Sequence, residues 1–360
     1  MPEVAQAVQN KRVLWIEVCK GVGIAAVVIG HTVLQWQLVQ ALFLFFMPLF
    51  FFLSGYLHRT EPALLLYLRK KAVHLLLPYF SFLLVLSPLE VLYSIRHNES
   101  VRQALENCAF GGVRLEGSLS IFWFVTCLFI TQQVANLLLT KWSGRVVAVI
   151  GMMSLVTAYA TAGAFHVWQI PWDANVALAA LPMFLAGAGY RRIPQTRVVT
   201  AMAVPIALTG AVMVCRGIGL AYDMRDAVYG KALLTPEISL AWVLSVFAVS
   251  RWISDWPVIA RGLASLGRRS MGIMFLHEAV SLPLLHRHIH SRWMVACWAL
   301  AGSYLLTALI GQNAWLRLAF LGEVPRKSSG TSEKRAARNS VPSAMSVADA
   351  NSRAATELAE

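Results

Sequence analysis

The chain has 360 residues, of which 58% are hydrophobic and only 14% are charged. Soluble domains contain about a quarter charged residues, so this composition excludes an ordinary soluble protein and predicts several membrane helices. The formal net charge is +13, but the basic residues lie in short loops and lack the basic and aromatic pattern of a nucleic-acid surface. The five cysteines are scattered, and their spacing predicts neither a disulfide framework nor a metal site.

The apolar runs predict an all-α polytopic membrane protein with a bundle of about 10 transmembrane helices, each close to the roughly 20 residues that a bilayer needs. The predicted helices cover residues 13–35, 40–57, 73–94, 120–140, 146–164, 174–190, 198–219, 239–254, 271–289 and 293–311. Loops on one side, together with the C-terminal segment, then carry 22 Lys and Arg residues, and loops on the other side carry 8. The positive-inside rule therefore predicts that both termini are cytoplasmic.

The first predicted helix carries three ionisable side chains, Glu17, Lys20 and His31, in an otherwise apolar run. Lys20 and His31 are 11 positions apart, which is about three helical turns, so both side chains project from nearly the same face. Such groups in a membrane helix usually line a cavity where chemistry or transport takes place. The alternative is a Glu17–Lys20 pair that reaches the interface near one helix end, with His31 at the opposite interface.

The second run contains Pro48, which is expected to kink the helix and leave a carbonyl group free. Ser54 and Gly55 are small enough to allow another helix to approach closely. The inner loop that follows is basic, and it ends in the run Arg69, Lys70 and Lys71.

Taken in order, several blocks of this sequence resemble the acyltransferase-3 family of membrane acyltransferases. The blocks occupy residues 12–31, 45–56, 71–79, 123–125 and 266–277. The similarity is closest to the branch that acetylates fucose and exopolysaccharide sugars, including the xanthan acetyltransferases. Two positions depart from the family pattern: Glu17 replaces an aspartate, and Phe46 replaces the histidine before Met-Pro. No ionisable role can therefore be carried over to Phe46.

The resemblance implies an integral membrane O-acetyltransferase of the bacterial inner membrane. Its acyl donor would be cytoplasmic acetyl-CoA, and no metal cofactor is expected. The acceptor would be a sugar hydroxyl of a lipid-linked oligosaccharide or nascent exopolysaccharide, and polysaccharide assembly proteins are candidate partners. Two alternatives stay open. One is an O-succinyltransferase of the same family, and the other is a transporter or flippase in which Glu17, Lys20 and His31 form a relay.

The resemblance also implies that His31, Lys20 and Glu17 are the catalytic residues. His31 matches the family's essential histidine, and Lys20 matches a position usually filled by Arg or Lys. An imidazole can take the proton of a sugar hydroxyl during attack on a thioester, or it can carry the acyl group covalently. The sequence leaves both mechanisms open.

Donor binding is expected at Arg69, Lys70 and Lys71, because a basic cluster suits the pyrophosphate and 3′-phosphate of CoA. Simple anchoring of the loop in the cytoplasm is the alternative. His277, in the ninth predicted helix, is a further candidate for the donor site, or else a histidine whose hydrogen bonds a neighbouring helix satisfies.

Trp123 and Tyr79 are expected to shape the substrate cavity or simply to pack in the bundle. The domain prediction is a cytoplasmic N-terminus at residues 1–12, an acyltransferase-3 type transmembrane domain at residues 13–311, and a cytoplasmic tail at residues 312–360. From about residue 325 the tail has almost no large apolar side chain, so it is predicted to be mostly disordered.

Overall fold

The computed structural model describes residues 2–164, 169–193, 196–286, 289 and 291–324. Within these ranges the chain forms fifteen α-helices and no β-strand. The helices are α1 (Pro2–Thr32), α2 (Trp36–Phe43), α3 (Phe46–Leu57), α4 (Leu64–Lys71), α5 (Leu77–Arg96), α6 (Val101–Phe110), α7 (Trp123–Lys141), α8 (Gly144–Thr161), α9 (Ala177–Tyr190), α10 (Thr196–Cys215), α11 (Leu234–Ile253), α12 (Pro257–Arg268), α13 (Ser270–His286), α14 (Arg292–Ile310) and α15 (Ala314–Leu321).

Among the described residues, eight helical stretches are long and apolar enough to cross a membrane. The other two predicted spans correspond to α9 and α13, which have 14 and 17 residues. The chain is therefore an all-α polytopic membrane protein, and the predicted fold class is confirmed. The cytoplasmic location of both termini stays a prediction.

The sequence did not predict the short helices α4, α6, α12 and α15. The last of these lies within the segment 312–360 that was predicted as a tail, and it packs against α5 through Phe320 and Phe82, whose ring centroids are 4.9 Å apart. An eight-residue helix is too short to give a span-length apolar signal. The rest of the predicted tail, from residue 325 on, lies outside the described residues.

The second predicted span is divided into α2 and α3 at Leu44 and Phe45. Pro48 has no amide proton, so it cannot bond to the carbonyl of Leu44 four residues earlier. The expected proline effect is present, and it appears as a break between two helices.

Helices α3 and α9 touch backbone to backbone. Gly55 of α3 lies against the carbonyl group of Phe184, and Gly187 of α9 lies against that of Phe52, so neither site has room for a Cβ atom. This confirms the predicted close approach at Gly55, because only a residue without a side chain fits between the two main chains.

Helix α1 packs against α3, α11, α12, α13 and α14. Its contact with α12 is again direct: Gly21 lies against the main chain of Leu263, and Gly267 lies against the carbonyl group of Glu17. Helix α12 thus closes over the Glu17 end of α1, and α13 contacts α1 at the site described next.

Candidate active site

The last turn of α1 and the middle of α13 bring His31 and Glu278 together. His31 Nδ1 lies 3.1 Å from Glu278 Oε1, and the two side chains are 23% and 9% exposed. A carboxylate only accepts hydrogen bonds, so His31 Nδ1 is the donor in this contact. This leaves Nε2 of the neutral ring as the nitrogen with a free lone pair.

The second oxygen of Glu278 is held by Ser120, whose hydroxyl donates to Oε2. Ser120 belongs to the 3₁₀ turn Gly117–Phe122, which immediately precedes α7. The turn is itself fixed, because the main-chain N–H of Ser118 donates to Glu90 Oε1 over 2.8 Å. Each oxygen of the Glu278 carboxylate therefore has a partner, and its orientation toward His31 is defined.

His277 is fully buried beside this pair, and its ring centroid lies 5.4 Å from that of His31. Its Nδ1 donates to the carbonyl oxygen of Met274 over 2.8 Å, while its Nε2 has no hydrogen-bond partner among the described residues. The structure thus places this predicted donor-site residue next to His31.

His31 Nε2 is also buried and has no hydrogen-bond partner within the described part of the chain. Two aromatic rings lie beside the imidazole, those of Phe43 and Phe46, with centroids 6.3 and 6.2 Å away. The position that departs from the family pattern, Phe46, therefore contributes an apolar wall next to His31.

Glu17 and Lys20 form a separate pair, in which Lys20 Nζ lies 2.9 Å from Glu17 Oε1. The Lys20 side chain is 27% exposed and the Glu17 side chain is 15% exposed. At a rise of 1.5 Å per residue, Lys20 lies about 16 Å along the helix axis from His31. The three residues share a face of α1, but the structure divides them between two sites.

The three predicted donor-binding cations differ in their surroundings. Arg69 and Lys70 are exposed, and Lys70 Nζ pairs with Glu61 Oε2 at 3.1 Å. Lys71 is partly buried, and its Nζ lies 5.5 Å from the centre of the Tyr67 ring.

The structure adds Arg191 and His58 to this basic region. Arg191 Nη1 donates to the main-chain oxygen of His58 over 2.8 Å. Burial, followed by the positive charges of Lys71 and Arg191, lowers the pKa of His58 to about 4. The only sequence signal for this contact is the pair of adjacent arginines, Arg191 and Arg192, after the predicted helix at residues 174–190.

Trp123 and Tyr79 are both buried, at 2% and 1% exposure. Trp123 follows directly on the turn that carries Ser120, and Tyr79 packs edge-on against Phe122 of the same turn at 5.5 Å. The Tyr79 hydroxyl has no hydrogen-bond partner among the described residues. Both residues therefore adjoin the turn Gly117–Phe122 that carries Ser120.

Arg225 joins the segment between α10 and α11 to the segment between α6 and α7. Its Nη2 donates to the carbonyl oxygens of Val113 and Leu115 over 3.2 and 2.9 Å. On the other side, Asp173 Oδ1 accepts from the N–H of Val113 over 3.0 Å. Burial raises the pKa of the Asp173 carboxyl to about 6. Neither Arg225 nor Asp173 could be predicted as a contact from the sequence, because no local pattern distinguishes them from other charged loop residues.

A helical membrane bundle with a buried, hydrogen-bonded histidine and carboxylate in its interior has the features of an integral membrane enzyme. A family model described as an acyltransferase domain, that of the acyltransferase-3 family, matches residues 13–320. The protein belongs to this family and is a membrane acyltransferase. No curated protein and no solved structure matches the chain significantly.

Proposed function

We propose that the protein is an O-acetyltransferase of the bacterial inner membrane. It transfers acetyl from cytoplasmic acetyl-CoA to a sugar hydroxyl of a lipid-linked oligosaccharide or nascent exopolysaccharide, as in the fucose and xanthan branch. The observation that carries the proposal is the hydrogen-bonded pair of His31 and Glu278 inside the bundle, with Ser120 on the second carboxylate oxygen. This arrangement suits a general base whose tautomer is fixed by a neighbouring carboxylate.

In the reaction, His31 Nε2 accepts the proton of the sugar hydroxyl while the hydroxyl oxygen attacks the thioester carbonyl carbon. Glu278 keeps the proton of the resting ring on Nδ1 and stabilises the imidazolium that forms. The new C–O ester bond forms, the C–S bond breaks, and the CoA thiolate recovers the proton from His31. A covalent acyl-histidine at Nε2 is the alternative route, and it would show ping-pong kinetics.

The donor would bind at the other end of α1. Arg69, Lys71 and Arg191 offer cationic groups for the CoA phosphates, with Lys20 on the same half of the bundle. The reacting thioester must then reach His31, about 16 Å further along α1. An extended pantetheine arm lying in the bundle would connect the two ends, so the acyl group crosses the membrane within the enzyme.

The separation of the two sites also bears on the transporter alternative. A proton relay needs groups within hydrogen-bond reach, directly or through water, and Lys20 and His31 are about 16 Å apart along α1. The pairing of His31 with Glu278 therefore favours local acid–base chemistry over a relay along the stripe.

The test is acyl transfer by the full-length protein purified in detergent, with radiolabelled acetyl-CoA and glycan from a strain that lacks the gene. Label in ester linkage on the glycan supports the proposal. Mass spectrometry of surface glycan from cells with and without the gene identifies the group: an acetyl mass difference agrees, and a succinyl difference points to the alternative donor. Absence of any acyl difference, with impaired export of the glycan, would favour a flippase.

A further inference from the structure

Three side chains around the candidate base have the composition of a metal site. His31, His277 and Glu278 each offer one ligand atom, and these atoms all lie within 4.8 Å of one another. The 3.1 Å between His31 Nδ1 and Glu278 Oε1 is slightly shorter than the separation of about 3.3–3.6 Å between two ligands of a tetrahedral zinc ion with bonds of about 2.0–2.2 Å, so a small outward movement of the two groups would admit the ion.

The partners of His277 and Glu278 orient both groups as metal ligands are usually oriented. Metal-binding histidines donate their second ring N–H to a carbonyl or carboxylate, which fixes the tautomer. His277 Nδ1 makes this bond to Met274, so the unpartnered Nε2 has the lone pair that a metal needs. Glu278 Oε2 is held by Ser120, which leaves Oε1 on the side of His31.

We propose that His31, His277 and Glu278 form an inhibitory binding site for a divalent transition-metal ion of the Zn²⁺ type. Two imidazoles and one carboxylate suit Zn²⁺, whereas Mg²⁺ and Ca²⁺ prefer sites made of oxygen ligands. Three protein ligands leave a fourth position for water. His277 and Glu278 are buried and His31 is partly buried, and the three residues come from two helices, so the site is formed only in the folded protein.

The inhibition, unlike the binding, rests on the proposed function. A metal ion on His31 Nδ1 uses the lone pair of that nitrogen, so the single proton of the neutral ring then resides on Nε2. In this tautomer Nε2 cannot accept a proton from a sugar hydroxyl. Metal binding and acyl transfer therefore require opposite tautomers of His31, and each state excludes the other.

The test measures binding directly on the full-length protein, purified in detergent and stripped of metal with a chelator. Titration with Zn²⁺ against a chromophoric chelator should give one ion per chain, and Co²⁺ should give the intense visible bands of a four-coordinate site. His277→Gln and Glu278→Gln should weaken binding by more than about 100-fold. Ser120→Ala should weaken it about 10–100-fold, as expected for the loss of a group that orients a ligand.

The matched control is His97→Gln, because His97 is an exposed histidine whose Nδ1 bonds to the Tyr93 carbonyl oxygen. This variant should bind as the wild type does. Equal Zn²⁺ affinity in wild type, His277→Gln and Glu278→Gln would overturn the site. If these variants do not remain monodisperse, a wild-type Co²⁺ spectrum without four-coordinate bands overturns it equally.

Binding requires no acyl donor, so the two proposals fail separately. Zn²⁺ binding in a protein without transfer activity leaves the site intact and removes the proposed reaction. Transfer activity without Zn²⁺ binding removes only the site. Half-maximal inhibition of transfer should occur at the Zn²⁺ concentration that half-fills the site, and unchanged transfer at saturation would overturn the inhibitory role.

Discussion

His31 Nδ1 lies 3.1 Å from Glu278 Oε1, so one hydrogen bond joins the last turn of α1 to α13 inside the bundle. His31 ends the first of the sequence blocks that resemble the family, and Glu278 directly follows the last one. These distant blocks therefore meet in space. Glu278 is buried, so removing His31 would leave its carboxylate without compensation, and the pair is expected to act as a unit.

Ser120→Ala should lower kcat about 10–100-fold and leave the KM for acetyl-CoA nearly unchanged. The hydroxyl makes a hydrogen bond to a charged carboxylate, and such bonds contribute about 1.5–3 kcal/mol. Ser120→Thr keeps the hydroxyl and should retain most activity. The control is Ser118→Ala, because Ser118 lies in the same turn as Ser120 but its hydroxyl donates to Glu90 of α5 and not to Glu278. An equal loss of kcat in both alanine variants would mean that the activity depends on the conformation of the turn and not on the hydrogen bond from Ser120 to Glu278.

Lys20→Ala should be nearly as damaging as loss of His31, because Glu17 would remain partly buried without its partner. Lys20→Arg preserves the charge and should stay active. Adding Glu17→Gln to Lys20→Ala removes the unpaired carboxylate and should restore the amount of inserted protein. The measurement is acetyl transfer per molecule of membrane-inserted enzyme. An inactive arginine variant beside an active alanine variant would show that charge at position 20 is not the relevant property.

Replacing Arg69, Lys70 and Lys71 together with Gln should raise the apparent KM for acetyl-CoA far more than that for glycan. Among the single variants, Lys70→Gln should have the smallest effect, because Lys70 is exposed and already paired with Glu61.

The control for this triple variant is the double variant Lys141→Gln/Arg145→Gln, which removes exposed charges from the same predicted side. Cysteine accessibility must show correct insertion in both variants. A correctly inserted triple variant with an unchanged donor KM would assign the cluster to topology alone.

Asp173→Asn should stabilise the protein above pH 6 and have little effect near pH 4. Burial raises the pKa of the folded-state carboxyl from 3.8 to about 6. Between these two pH values the carboxyl is protonated in the folded protein and ionised in the unfolded chain. The stability contribution is complete below pH 4 and is lost as the pH rises through 6. Asparagine keeps the Oδ1 acceptor for Val113 and carries no charge.

Thermal unfolding of the detergent-solubilised protein from pH 4 to pH 8 measures this effect. The midpoint difference between Asp173→Asn and wild type should grow from pH 4 to about pH 6 and stay level above that, while Glu106→Gln, at an exposed ion pair, should show no such growth. A constant or reversed difference would mean that the Asp173 carboxyl is ionised in the folded protein throughout.

The helices could be predicted because hydropathy is a local property, and each apolar run contains its own signal. The prediction that His31 lies on a functional face rests on periodicity together with the family resemblance. The pairing of His31 with Glu278 could not be predicted in this way, because contacts between distant helices leave no trace in local patterns. The sequence shows Glu278 only as a carboxylate beside His277 in an apolar helix. It contains no signal for the contact of Ser120.

Periodicity also grouped residues that the structure separates. The angle around a helix axis places Lys20 and His31 on one face, but it does not measure their distance along the axis, which is about 16 Å. Short helices such as α12 could not be predicted from the sequence for a related reason. Its 12 residues are fixed by contact with α1, where Gly267 meets Glu17, and this tertiary contact has no counterpart in the hydropathy of the segment.

The joint action of His31 and Glu278 in proton transfer can be measured by a double-mutant cycle on kcat. His31→Ala, Glu278→Gln and the double variant are compared with wild type in saturating acetyl-CoA, per molecule of inserted enzyme. Each single change should lower kcat by on the order of 10²–10⁴-fold, and the double variant should be no slower than the slower single variant. Wild-type transfer by a stably inserted His31→Ala enzyme, or losses that simply multiply in the double variant, would contradict the account.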